Sequence, residues 1–133
     1  MISKIQHIAI IVDDIEQSLT FWHNTLGLEM KHVEEVPDQQ VRVAFMSAGD
    51  GHIELISPTT KDSGAARFLA KEGGGLHHIA LEVNSLDEAV EILREKGLRL
   101  TEDSPSTGAM GRKVVFVHPE SSGGVLVELY ESE

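Results

Sequence analysis

The hydrophobic positions along this chain change their period several times, and each change marks the border of a predicted element. Ile and Val run together over residues 5–12 and 77–83, which is typical of buried strands. After each of these segments, apolar residues recur every three or four positions, over 15–26 and 86–93. This spacing predicts two amphipathic helices, each following a strand.

Start and stop signals place the same borders in both halves. A residue that can cap a helix stands seven positions after His7 and again after His78, followed three residues later by Gln or Glu. These are two predicted capping boxes, Asp14 with Gln17 and Ser85 with Glu88. Both helices are expected to stop at a Gly-Leu pair, Gly27-Leu28 and Gly97-Leu98, where glycine suits the position after a helix end.

Each helix is followed by three predicted strands, over 28–36, 40–48 and 52–57 in the first half and over 98–102, 112–118 and 124–130 in the second. The 133 residues therefore predict one α+β domain made of two βαβββ modules, 1–57 and 76–133. The linker 58–75 carries a short helical segment around 65–71. We expect the modules to form a curved eight-stranded mixed sheet with a metal-binding cleft.

The most informative repeat within the modules is chemical. His7 and His78 each open the tripeptide His-Ile-Ala, and Glu54 and Glu128 stand in matching apolar strands, 47 and 50 residues after their histidines. Strand alternation turns all four side chains away from the aliphatic face that a helix would cover. A single strand histidine or glutamate is more often structural than a ligand, but matched pairs on one face favour a site for a divalent cation.

Composition and charge exclude more than they identify. With 22 acidic and 11 basic residues the net charge is −11, which argues against nucleic acid as a partner. An anionic substrate would need local help from a bound metal or from Arg112, Lys113 or Arg42, although alternation turns Arg42 away from the ligand face. The chain has no cysteine, no apolar run long enough for a membrane span and no recognisable leader, so we expect a cytoplasmic protein.

Several segments resemble a known family. His7 to Val12 and Phe21 to Leu28 are similar to features of the vicinal oxygen chelate superfamily, which includes glyoxalase I. The segments Gly75 to Ala80 and His118 to Leu129 resemble, more specifically, the methylmalonyl-CoA epimerase family of that superfamily. The stretch Gly108 to Lys113 looks like the epimerase loop at the substrate entrance.

The resemblance implies an isomerase that interconverts (R)- and (S)-methylmalonyl-CoA by moving one proton through a metal-stabilised enolate. It implies one divalent ion per chain, with Co²⁺ favoured and Ni²⁺, Mn²⁺ or Zn²⁺ possible, held by four residues, His7, Glu54, His78 and Glu128. It also implies an acyl-CoA thioester as the bound partner and a homodimer. Arg112, Lys113 and His118 are candidate substrate-binding residues.

One position departs from part of that family. Some epimerases place a catalytic glutamate in the third strand, where this chain has Val43, and have Gln where this chain has Glu54. Epimerisation needs two acid/base groups, one on each side of the α-carbon. We therefore hypothesise that Glu54 and Glu128 are both metal ligands and both proton carriers.

Three other functions of the same fold stay open at this point. Glyoxalase I can use the same ligand set on the glutathione hemithioacetal of methylglyoxal. A metal-free binding protein of the bleomycin-resistance type would not need the four candidate ligands, so their presence in this chain argues against that function. A ring-cleaving dioxygenase fits less well still, because its iron site uses two histidines and one carboxylate.

Overall fold

The structure is a computed structural model of the chain, and it describes residues 1–102 and 105–132. The described strands are β1 (Ile2–Ile11), β2 (Glu29–Val36), β3 (Val41–Ala48), β4 (Gly51–Pro58), β5 (Gly75–Val83), β6 (Ser106–Thr107), β7 (Lys113–Val117) and β8 (Val127–Glu131). The α-helices are α1 (Ile15–Leu19), α2 (Gly64–Glu72) and α3 (Leu86–Glu95). A π-helix over Thr20–Thr25 continues α1.

Both predicted capping boxes begin their helices. The Asp14 carboxylate accepts a hydrogen bond from the Gln17 backbone amide at 3.1 Å, and the Ser85 hydroxyl accepts one from the Glu88 amide at 3.3 Å. The predicted glycine stops are also confirmed, since Gly27 and Gly97 have φ values of 81° and 72°. In this left-handed region glycine has no steric penalty.

The described strands are hydrogen-bonded neighbours in the order β2-β3-β4-β1-β5-β8-β7-β6. β1 pairs with β4 in parallel, and β5 pairs with β8 in parallel, while β2/β3, β3/β4, β6/β7 and β7/β8 are antiparallel. The predicted α+β fold with a mixed eight-stranded sheet is therefore confirmed. Contacts divide the chain into an N-terminal unit, His7–His77, and a C-terminal unit, His78 onward together with Met1–Gln6.

The core of the N-terminal unit lies between α1 and one face of its strands. Ile15 packs with Ala44, Met46 and Leu55, and Trp22 of the π-helix packs against this cluster. On the same face the Arg42 guanidinium lies 2.9 Å from the Glu16 carboxylate. The prediction that Arg42 points away from the face of Glu54 is thus confirmed.

The core of the C-terminal unit repeats this plan with α3. Leu86, Ala89 and Val90 of the helix pack against strand residues that include Val115 and Leu129. The first residues of β1 belong to this unit, and the Ser3 hydroxyl donates to a Glu82 carboxylate oxygen at 2.9 Å. Each unit therefore buries one face of its strands under its own helix.

The prediction of a strand over 98–102 is wrong in extent. In the described part of this segment, Leu100 makes only an isolated antiparallel bridge to Val117. The backbone bonds around it, from His118 N to Arg99 O and from Thr101 N to Phe116 O, span just this one bridge. The strand that pairs with β7 over a longer register is β6, which begins after Pro105.

The helix after β1 also differs from the predicted α-helix. Over Thr20–Thr25 it widens to a π-helix, in which the Leu26 amide donates to the Phe21 carbonyl at 2.9 Å and the Thr25 hydroxyl to the Thr20 carbonyl at 3.0 Å.

Among the helices that the structure describes, none is long and apolar enough to cross a membrane.

Candidate functional site

The N-terminal unit brings the first predicted ligand pair into contact. His7 lies in β1 and Glu54 in β4, and the two residues are only 1% and 3% exposed. The His7 Nδ1 atom is 2.8 Å from the Glu54 Oε2 atom. Charged side chains are almost never so deeply buried unless they are paired or bind a metal, so this burial favours a functional role for the pair.

The contact between these two side chains is close but does not have the direction of a hydrogen bond. Although Glu54 Oε2 lies near the imidazole, it has no hydrogen bond partner among the described residues. Distance alone does not make this contact a hydrogen bond, because an N–H must point at its acceptor to satisfy it. A buried carboxylate oxygen in this condition has a large energetic gain available from a cation.

Strand register explains how Glu54 is placed. Glu54 is the cross-strand partner of Ala9 in β1 and of Phe45 in β3, both of which are buried. Val43, two residues before Phe45, therefore lies on the same face and is paired with Ile56. At the position where some epimerases carry a glutamate, this face thus holds a buried aliphatic side chain.

The C-terminal unit brings the second predicted pair into contact. His78 of β5 and Glu128 of β8 are 7% and 3% exposed, and the His78 Nε2 atom forms a hydrogen bond of 3.1 Å with Glu128 Oε1. Glu128 is the cross-strand partner of Ala80 and of Phe116, and the Phe116 ring meets the His78 ring edge to face at 5.3 Å. Small and aromatic neighbours thus hold this pair away from water.

The residues present fit a divalent metal ion. Two ligands at right angles on one first-row metal ion are separated by about 3 Å, since each bond is about 2.1 Å long. The observed contacts of 2.8 and 3.1 Å within the two pairs are of this size. His7, His78 and Glu128 are buried residues of the kinds that hold metal ions, and each offers one ligand atom.

The predicted substrate-binding residues have different surroundings. Lys113 is exposed at the start of β7, and Arg112, just before it, is half-buried with its guanidinium 5.5 Å from the centre of the Tyr130 ring. His118 caps a short turn, where its Nδ1 atom accepts a hydrogen bond from the Glu120 amide at 3.1 Å. That contact gives His118 a local structural role.

The sequence interpretation missed one contact on the face of Glu54. The His32 ring stacks on Phe45 at 4.5 Å, and its Nε2 atom lies 3.0 Å from a Glu34 carboxylate oxygen. The i, i+2 spacing of His32 and Glu34 in a strand was the available signal. A further histidine on this face, His52, has a buried Nδ1 atom without a hydrogen bond partner among the described residues.

Comparison with known proteins identifies a superfamily for this chain. Residues 6–116 match the model of the Glyoxalase/Bleomycin resistance protein/Dioxygenase superfamily. The match covers most of the chain, and the chain belongs to that superfamily.

Relatives narrow the membership further. The ethylmalonyl-CoA/methylmalonyl-CoA epimerase of Cereibacter sphaeroides is 40% identical, over 97% of this chain and 98% of its own. The mitochondrial methylmalonyl-CoA epimerase of Homo sapiens is 38% identical, over 98% of this chain and 75% of its own. A Streptomyces coelicolor methylmalonyl-CoA epimerase variant, solved in complex with 2-nitronate-propionyl-CoA, superposes with a TM-score of 0.94 at 36% identity and covers 99% of this chain and 96% of its own. The predicted place among the methylmalonyl-CoA epimerases is confirmed.

Proposed function

We propose that this protein interconverts (R)- and (S)-methylmalonyl-CoA by a 1,1-proton transfer, with Glu54 and Glu128 as the two proton carriers. The observation that carries the proposal is that each unit buries one glutamate against one histidine, on strands in equivalent positions. Epimerisation needs two acid/base groups, and these are two carboxylates held in matching surroundings. The named epimerase relatives support the choice of an acyl-CoA thioester as substrate.

We further propose that His7, Glu54, His78 and Glu128 together hold one divalent ion, with cobalt as the first metal to test. The support is the duplication of the pair in sequence and the fit of each pair to ligand spacing. When bound, the ion would supply a positive charge that polarises the thioester carbonyl oxygen.

The proton transfer itself belongs to the carboxylates. One glutamate accepts the α-proton, and the electron pair of that C–H bond moves towards the thioester carbonyl. The other glutamate, which enters the reaction protonated, donates its proton to the opposite face of the α-carbon, and the electron pair returns to form the new C–H bond. The reverse reaction starts with the two protonation states exchanged. Their cross-strand neighbours limit the access of bulk water that would compete as a proton donor: Ala9, Phe45 and Ala80 are buried, and Phe116 is half-buried.

The role of Glu54 follows from Val43. An aliphatic residue at that position can neither accept nor donate a proton, and Glu54 is an acidic group on the same face of the N-terminal unit.

Arg112 and Lys113 are proposed to bind the negative charges of the CoA thioester, since they bring positive charge to a chain of net charge −11. The homodimer stays a prediction that light scattering of the purified protein can measure.

The experiment is an assay of racemisation in D₂O with a panel of Co²⁺, Ni²⁺, Mn²⁺ and Zn²⁺. We expect deuterium to enter at the α-carbon of methylmalonyl-CoA as the optical activity is lost, and about one metal ion to be retained per chain. The hemithioacetal of methylglyoxal and glutathione serves as the rival substrate. Isomerisation of the hemithioacetal without racemisation of the CoA thioester would overturn the proposal in favour of a glyoxalase.

A further inference from the structure

A short loop of the C-terminal unit, residues 108–112, has an unusual backbone. The Gly108 amide donates to the Arg112 carbonyl at 2.8 Å and closes the loop around a 3₁₀ turn, Ala109–Gly111. Within this turn Met110 has φ 60° and ψ 23°, and its side chain is 54% exposed. A side chain in left-handed backbone is strained, so other contacts must hold the loop in this conformation.

Tyr130 supplies two of those contacts. Its ring is 1% exposed, and its hydroxyl donates a hydrogen bond of 2.7 Å to the carbonyl of Ala109, the residue before Met110. The Arg112 guanidinium, at the other end of the loop, lies over the same ring with its carbon 5.5 Å from the ring centre. One buried side chain therefore holds the loop on both sides of its strained residue.

The same side chain belongs to the strand of a proposed proton carrier. Glu128 and Tyr130 are two residues apart in β8, so they share one face of the strand. Their cross-strand partners in β7 are Phe116 and Val114, which places Tyr130 next to the start of β7, where the loop enters it. The loop ends with the cation Arg112, and the next residue, Lys113, is a second cation at the start of β7. Tyr130 thus links a positively charged loop to the strand of Glu128.

We propose that Tyr130 is a positioning residue that fixes loop 108–112, and with it the adjacent cations Arg112 and Lys113, for binding of the anionic acyl-CoA thioester. This inference rests on the proposed function. Removal of the hydroxyl leaves the buried Ala109 carbonyl with only the longer hydrogen bond from the Arg112 amide, at 3.4 Å, so less holds Met110 in the left-handed region. The ordered loop would give way to several conformations, so binding would weaken while the proton carriers stay in place.

The test compares Tyr130→Phe with the unchanged protein. We expect the Kd for racemic methylmalonyl-CoA, measured by calorimetry, and the KM of racemisation to rise about 10-fold, with kcat within about 2-fold. Trypsin reports on the loop without any activity, because it cleaves after Arg112 and Lys113. Cleavage there should accelerate about 10-fold, because the lost hydrogen bond no longer stabilises the closed loop against opening.

Two further variants keep the inference falsifiable. Thr25→Val removes another hydroxyl-to-carbonyl hydrogen bond, in the N-terminal unit, and should leave Kd and cleavage after Arg112 unchanged. Met110→Gly, added to Tyr130→Phe, removes the strain and should restore much of the protection from trypsin. These two variants distinguish a specific effect of Tyr130 on the loop from a general loss of stability.

The outcomes distinguish this inference from the proposed function. Thioester binding without racemisation in the unchanged protein would overturn the proposed function, and the inference would then be decided by the Kd ratio alone. An unchanged Kd in Tyr130→Phe, or unchanged cleavage, overturns the role of Tyr130. A fall in kcat with constant KM also overturns it, because Tyr130 would then act on the chemistry rather than on binding.

Discussion

The two units solve the same structural problem but satisfy their buried carboxylates differently. In the C-terminal unit the His78 ring and Glu128 form a hydrogen bond of 3.1 Å. In the N-terminal unit His7 and Glu54 approach to 2.8 Å, yet Glu54 Oε2 has no hydrogen bond partner among the described residues. The His78–Glu128 pair is satisfied within the described protein, whereas the His7–Glu54 pair leaves one carboxylate oxygen that the proposed cation would satisfy. The difference suggests that Glu54 depends more on the proposed ion than Glu128 does.

The first prediction would break the equivalence of the two glutamates most directly. Replacement of a general acid/base by an isosteric amide should lower kcat/KM for racemisation by about 100- to 10,000-fold, so we expect Glu54→Gln and Glu128→Gln both to fall in this range. If each glutamate serves one face of the α-carbon, each variant should still exchange the α-proton of one epimer, and the two variants should retain opposite epimers. Deuterium uptake from the separate epimers measures this.

The matched control for those variants is Glu35→Gln, an exposed glutamate in β2. It should keep activity within about 2-fold, as surface substitutions usually do. Near-normal racemisation by Glu54→Gln, or exchange of the same epimer by both variants, would contradict the assignment and leave Glu128 without its proposed partner.

The second prediction concerns a close approach in the N-terminal unit. Gly74 and Gly75 have φ values of 98° and 115°, so alanine is strained at both positions. A Cβ added at Gly74 would lie 2.9 Å from the Ile11 carbonyl oxygen, whereas one at Gly75 meets nothing within 4 Å. We expect Gly74→Ala to lower the free energy of unfolding by about 1–3 kcal/mol more than Gly75→Ala does.

Urea denaturation followed by circular dichroism measures that difference. Equal losses in the two variants would mean that strain of the backbone, rather than contact with β1, makes glycine necessary here.

The smallest predicted effect tests whether the two helix starts are equivalent. Asp14→Ala and Ser85→Ala each remove a hydrogen bond from a side chain to a backbone amide of the first turn. Each should lower the free energy of unfolding by about 0.5–2 kcal/mol. Thermal unfolding compares them with Asp13→Ala, an exposed neighbour that should change stability by less than about 0.5 kcal/mol. If a cap variant loses no more stability than Asp13→Ala, that cap is not needed for the stability of its unit.

Local signals made much of the fold predictable. The capping residues Asp14 and Ser85 and the glycines at 27 and 97 act through bonds and dihedral angles within a few residues, so the sequence alone contains them. The two His/Glu pairs were predictable because duplication shows each residue twice. Their contacts within each unit followed from strand alternation.

Other features depend on tertiary contacts that no local pattern encodes. The π-helix over Thr20–Thr25 keeps a helical spacing of apolar residues, so its wider turn was not visible. The stacking of His32 on Phe45 needed the register of two strands. The bond from Tyr130 to Ala109 joins residues 21 positions apart through a loop whose backbone could not be foreseen.

The aromatic residues of the two cores have a practical consequence for spectroscopy. The chain contains one tryptophan and one tyrosine. Trp22 packs in the core of the N-terminal unit, and Tyr130 is buried in the C-terminal unit. Tryptophan fluorescence excited near the red edge and tyrosine absorbance are therefore two intrinsic optical reporters, one for each unit. Coincident melting curves would show that the two βαβββ repeats unfold as one cooperative body, and separate curves would show that they do not.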